Sequence, residues 1–156
     1  MESLNVSIAA IVTIFYFVLA IKILSIFLKG FTNPMNQATG ALLVGALIGF
    51  GINLQDFSEI AVSSFFYYAK EGQLLYGVAF WLLFALIAFV FSYVLFRFSF
   101  LVINMATPEN EKAELGKNNL VLALTHATVY VLLCLVLSTP LTILANTLVS
   151  YSEFPN

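Results

Sequence analysis

His126, Cys134, Lys22 and Arg97 are the residues of this 156-residue chain that set chemically active side chains within apolar stretches. Asn119 lies seven residues before His126 and Tyr130 four after it, so the three share one helical face. In lipid such a stripe must turn inward, because an unsatisfied polar group there is costly. It serves either as helix–helix hydrogen bonding or as a polar pathway with a pH-sensitive gate at His126. Lys22 and Arg97 each fall about two turns from one end of an apolar run. The charge of each either snorkels to the headgroups along its own stem or contacts a lipid phosphate or other anion. Arg97, flanked by Phe96 and Phe98, carries the fork suited to phosphate. One histidine and one cysteine cannot build a tetrahedral metal site, and no phosphate loop, nucleophile elbow or haem motif occurs. No catalytic, cofactor-binding or metal-ligating residue is assigned, and the chain is read as non-enzymatic.

The elements that must hold these residues follow from composition. Apolar residues make up 62% and charged residues 9% of the chain, with mean hydropathy +1.01. A soluble domain carries about 25% charge. Six basic residues and a net charge of −2 leave no footprint for nucleic acid. The expected architecture is all-α and integral to the membrane, one domain over residues 1–156. Crossing a bilayer core takes roughly 20 apolar residues in a helix. Four runs qualify: Val6 to Leu28, Asn36 to Leu54, Leu74 to Met105, and Asn118 to Ser138. The first is too long, and too poor in preceding bases, for a signal peptide. As read, these spans contain no Asp or Glu, which disfavours proton- or cation-coupled transport. Lys22, Lys29, Arg97, Lys112 and Lys117 flank the first and third links, while Lys70 lies on the other side. The positive-inside rule places those links in the cytoplasm and both termini outside it.

An offset of 83 residues brings Asn36 onto Asn119 and Asp56 onto Thr139. Asn36 and Asn119 would open spans two and four. Asp56 and Thr139, the latter followed by Pro140, would cap short helices after those spans. Two tandem two-helix repeats in parallel orientation result, one over about 6–70 and the other over about 74–151. Asn33-Pro34 predicts a turn. In span two, Ala38, Ala41, Gly45 and Gly49 line one face with small residues, a helix-packing face whose partner is either internal or a neighbouring subunit.

The stretch Thr107-Pro108-Glu109-Asn110-Glu111, with Leu115-Gly116-Lys117-Asn118-Asn119 leading into an Ala/Leu-rich span, resembles the bacterial domain-of-unknown-function 350 family. Asn36-Gln37-Ala38-Thr39-Gly40-Ala41 resembles the matching element of that family's other repeat, although Leu120-Val121-Leu122 is bulkier than expected there. The resemblance implies an inner-membrane protein of two tandem two-span units, linked to envelope-stress systems. The expected function is a homo-oligomer that forms a pore or senses the membrane, with the bilayer and other membrane or stress-response proteins as partners. The alternatives are an accessory subunit of a larger complex and a small transporter.

Overall fold

The computed structural model describes residues 2–31, 35–107 and 110–148. The Asn33-Pro34 turn, Pro108, Glu109 and the last residues of the second repeat lie outside the described residues. The described chain is helical: α1 Glu2–Lys29, α2 Gln37–Lys70, α3 Leu74–Ala106, α4 Glu111–Gly116 and α5 Leu120–Leu148. Among the described residues, three helical stretches are long and apolar enough to cross a membrane: α2, α3 and Leu120–Ile143 of α5. Their outer surfaces are apolar too. Leu75, Met105, Val121 and Val136 are each largely exposed, the inverse of a water-facing coat.

Local chemistry sets the helix ends. Asn36 caps α2 by accepting from Thr39 N (2.9 Å), and Thr39 Oγ1 accepts from Asn36 N (3.0 Å), closing a capping box. Gly72, at φ +74°, ends the helix in the left-handed region that glycine adopts without strain. The short turn to Leu74 makes α2 and α3 antiparallel neighbours. Asn118, at φ +64°, ends α4 in the same region, and its Oδ1 accepts from Ala38 N (2.9 Å). Asn36 Nδ2 donates back across to Leu115 O (2.7 Å). These two bonds join the α1–α2 link to the α3–α5 link, so Lys29, Lys112 and Lys117 gather at one end of the bundle. Lys70 closes α2 at the other.

α2 is the central element, packed along both α3 and α5 and less extensively on α1. The interior is filled by Tyr16, Leu24, Leu42, Phe50, Phe89, Phe96 and Tyr130. Rings of Phe50, Phe89 and Tyr16 meet edge-on or tilted at centroid separations of 5.3–6.3 Å.

Two expectations are corrected. Asp56 is not an N-cap: α2 runs through it for 34 residues, about 51 Å. The helix continues because its buried stripe does. Phe57 packs on Phe84 and Phe65 on Trp81, with Gly77 letting the backbone of Phe65 approach α3. Asp56 and Glu59 therefore lie within a helix of spanning length, and carboxylates are not confined to loops and ends. Thr139 is not a cap either, since Pro140 sits inside α5. Pro140 removes the amide that Val136 O would accept, a loss tolerated in apolar helices whose neighbours hold them. Leu141 remains buried beyond it, and Thr142 Oγ1 donates to Ser138 O (3.0 Å). Among the described residues there is no separate short helix after span two or span four.

Candidate functional site

The polar stripe of α5 turns inward along its whole length, but its three members enter three different settings. Asn119 sits at the start of α5. Its Oδ1 accepts from Leu122 N (3.1 Å), and its Nδ2 donates to Glu114 Oε2 (3.2 Å). Tyr130 is fully buried against Phe50 and Phe96, and its hydroxyl donates to Ser92 O (3.2 Å) in α3. His126, between them, is fully buried, and neither ring nitrogen has a hydrogen-bond partner among the described residues. Its ring lies on Phe100 with centroids 4.3 Å apart, and its Nε2 is 3.5 Å from Glu111 Oε1. Phe96 and Phe100, 5.3 Å apart, fill the space between the His126 and Tyr130 settings.

Glu111 reaches His126 because α4 folds onto the bundle. Asn110 caps this helix by accepting from Ala113 N (3.2 Å), and Leu115 anchors it from below with no exposed surface. The Glu111 side chain is only 11% exposed, and its Oε1 has no hydrogen-bond donor among the described residues. Burial accordingly pushes its carboxyl above the usual range. Glu114, one turn on, shows the opposite. Its bond from Lys117 Nζ (2.7 Å), with help from Asn119, holds it below that range.

Beside this couple, a cleft of about 560 Å³ opens between α1, α3 and α4. Phe27, Phe31 and Phe100 form its aromatic wall, with Phe31 and Phe100 stacked at 5.5 Å. Arg97, Asn104, Asn110, Lys112 and Glu111 supply the polar lining. The Arg97 guanidinium stands 5.0 Å from the Phe27 ring centroid, a cation–π contact. Arg97 therefore joins a built cleft, whereas Lys22 stands exposed on α1 and does not line it.

The small-residue face finds its partner within the chain. Gly45 lies against Ala127 and Gly49 against Tyr130, so α2 and α5 cross closely there. Ala38 is buried, and Ala41 is half-buried at the edge of a surface groove shared by α2 and α5.

A polar knot that sequence reasoning missed lies near the middle of α2, α3 and α5. Asn53 Nδ2 donates to Ser92 Oγ (2.9 Å) and approaches Cys134 Sγ (3.4 Å), while Ser92 Oγ donates to Ala88 O (2.7 Å). Tyr16 OH donates to Phe50 O (3.2 Å) nearby. Single Asn and Ser residues within apolar runs carried the signal, since each must find an interhelical partner in lipid. Cys134 thus joins Asn53 while His126 joins Glu111. Among the described residues no cluster of His, Cys, Asp or Glu is suited to a metal.

Comparisons of the chain with protein-family models, with curated proteins and with solved structures find no match.

Proposed function

We propose that this is a non-enzymatic protein of the bacterial inner membrane that senses the state of the bilayer. The reading retains the resemblance to the domain-of-unknown-function 350 family and a place in an envelope-stress module. It takes α1 as a fourth span, with α1–α2 and α3–α5 as two tandem parallel repeats. In support, Asn36 and Asn119 each cap the second helix of their unit, and α1 packs on α2 as α3 packs on α5. The basic residues gathered at the linked end make that end cytoplasmic and leave both termini outside.

The buried Glu111–His126 couple is the observation that carries sensing. An ionisable pair without supporting hydrogen bonds ties a link helix to a span, so its charge state governs how firmly α4 docks. Among the described residues, Arg97 of α3 and Lys112 of α4 are the other charged groups lining this corner, while α1 brings Phe27 and the link beyond it Phe31. The sign follows from burial. Ionised Glu111 opposes docking, and this penalty disappears as pH falls through the raised pKa of Glu111.

Amide hydrogen exchange in lipid nanodiscs tests this reading. The α4 amides should become better protected on moving from neutral to mildly acidic pH, and Glu111→Gln should abolish that response. Wild-type protection that ignores pH would sink the proposal. Conduction by one chain is disfavoured because aromatic side chains fill the interior. Homo-oligomerisation therefore places any pore between copies, and ion flux from liposomes holding strictly monomeric protein would reverse that preference.

A further inference from the structure

We infer that the cleft between α1, α3 and α4 holds the phosphate of an anionic phospholipid from the adjoining leaflet, gripped by Arg97 and Lys112. The inference rests on the membrane-protein reading but not on the pH response of α4.

Charge comes first. Arg97 has no carboxylate partner among the described residues. Its guanidinium is steadied on one face by Phe27, leaving its in-plane N–H donors free for a bidentate acceptor. Lys112, from α4, adds a second cation to the lining, and Asn104 and Asn110 add amide donors. Glu111 is the one acid among the described lining residues, and its Oε1 lies 3.5 Å from His126 Nε2, so two cations face a single carboxylate that is directed at a third group.

Shape and surroundings select lipid over a free anion. The wall behind the cations is aromatic, and Leu101 continues it onto the outer face of α3. There Phe98 and Met105 are exposed, making an apolar track for an acyl chain. A phosphate at Arg97 would thus have its glycerol and first methylenes beside Leu101. The volume, about 560 Å³, suits a headgroup with its backbone rather than an isolated phosphate.

Native mass spectrometry of the full chain in mild detergent, titrated with phosphatidylglycerol or phosphatidylcholine, tests the inference. One phosphatidylglycerol should be retained per chain, with phosphatidylcholine held much more weakly. Lys112→Gln should weaken phosphatidylglycerol retention about tenfold, the loss of one charged hydrogen bond, and Arg97→Gln, which loses a bidentate pair, at least as much. Arg97→Lys should recover only part, because it keeps the charge and loses the fork. Lys22→Gln should bind as wild type. Lys112 is exposed on a surface helix, so its variant reports even if Arg97→Gln fails to fold. Equal retention of both lipids, or unchanged retention in Lys112→Gln, overturns the proposal. So does displacement of the lipid by millimolar inorganic phosphate, which would make a free anion the ligand. The binding readout is independent of α4 exchange, so either reading can fail alone.

Discussion

Replacing Gly45 with alanine tests the close crossing of α2 and α5. An added methyl would overlap the Ala127 side chain and lie 3.0 Å from Ala127 Cα. Carbon atoms in contact prefer about 3.5–4.0 Å, so backbone, not merely a side chain, must retreat. Overpacking of this kind costs about 1–3 kcal/mol. Alanine in place of glycine returns about 1 kcal/mol of helix propensity. The expected net loss is up to about 2 kcal/mol, a factor of up to roughly 30 in the unfolding equilibrium, and about 1–3 kcal/mol relative to a glycine-to-alanine change that meets no neighbour. Gly40→Ala is the matched control in the same helix. Nothing lies within 4 Å of its new methyl, so it should gain up to about 1 kcal/mol. The sharper arm is the double variant Gly45→Ala with Ala127→Gly, which moves the methyl across the interface. It should recover at least about 1 kcal/mol relative to additivity. Reversible unfolding in mixed micelles, followed by helical circular dichroism, supplies the stabilities of wild type, Gly40→Ala, Gly45→Ala, Ala127→Gly and the double variant. If Gly45→Ala is as stable as Gly40→Ala, or if the double variant is additive, the α2–α5 crossing described here is wrong.

Tyr130→Phe should cost about 0.5–1.5 kcal/mol in the same assay, through loss of its hydroxyl bond to Ser92 O. Asn36→Ala removes both the α2 cap and the bond to Leu115 O. It should destabilise by about 2 kcal/mol and quicken proteolysis of the link around α4. Ionised Glu114 contributes at neutral pH, and its contribution is lost as pH falls through its depressed pKa. Lys117→Ala should move that titration up toward the usual carboxylate range, as read from the side-chain carboxyl by NMR.

Legibility in the sequence depended on how local the determining interaction is. Asn36 is legible as a helix start because its cap bond reaches only to Thr39. Asn119 is legible for the same reason, bonding Leu122. Asp56 misled because a good capping residue also sits acceptably on a half-buried helix face, and neighbours decide which. Phe57 on Phe84 and Phe65 on Trp81 decided for continuity. Pro140 misled similarly, since the loss of one hydrogen bond does not end an apolar helix whose residues beyond the proline, such as Leu141, stay packed. The inward turn of Asn119, His126 and Tyr130 was readable from period alone, but the meeting of His126 with Glu111 was not. That contact depends on how the six-residue α4 folds back over the bundle.

By itself the sequence determined a helical chain with runs long and apolar enough to cross a membrane and with its bases crowded toward one end, because hydropathy and helical period are properties of neighbouring residues. The tertiary structure alone decided that Gly45 and Gly49 serve an internal crossing, that α2 and α5 run unbroken, and that Arg97 and Lys112 share a cleft. Those outcomes turn on the shapes of side chains distant in sequence, where a single methyl or a buried ring settles which helix lies against which.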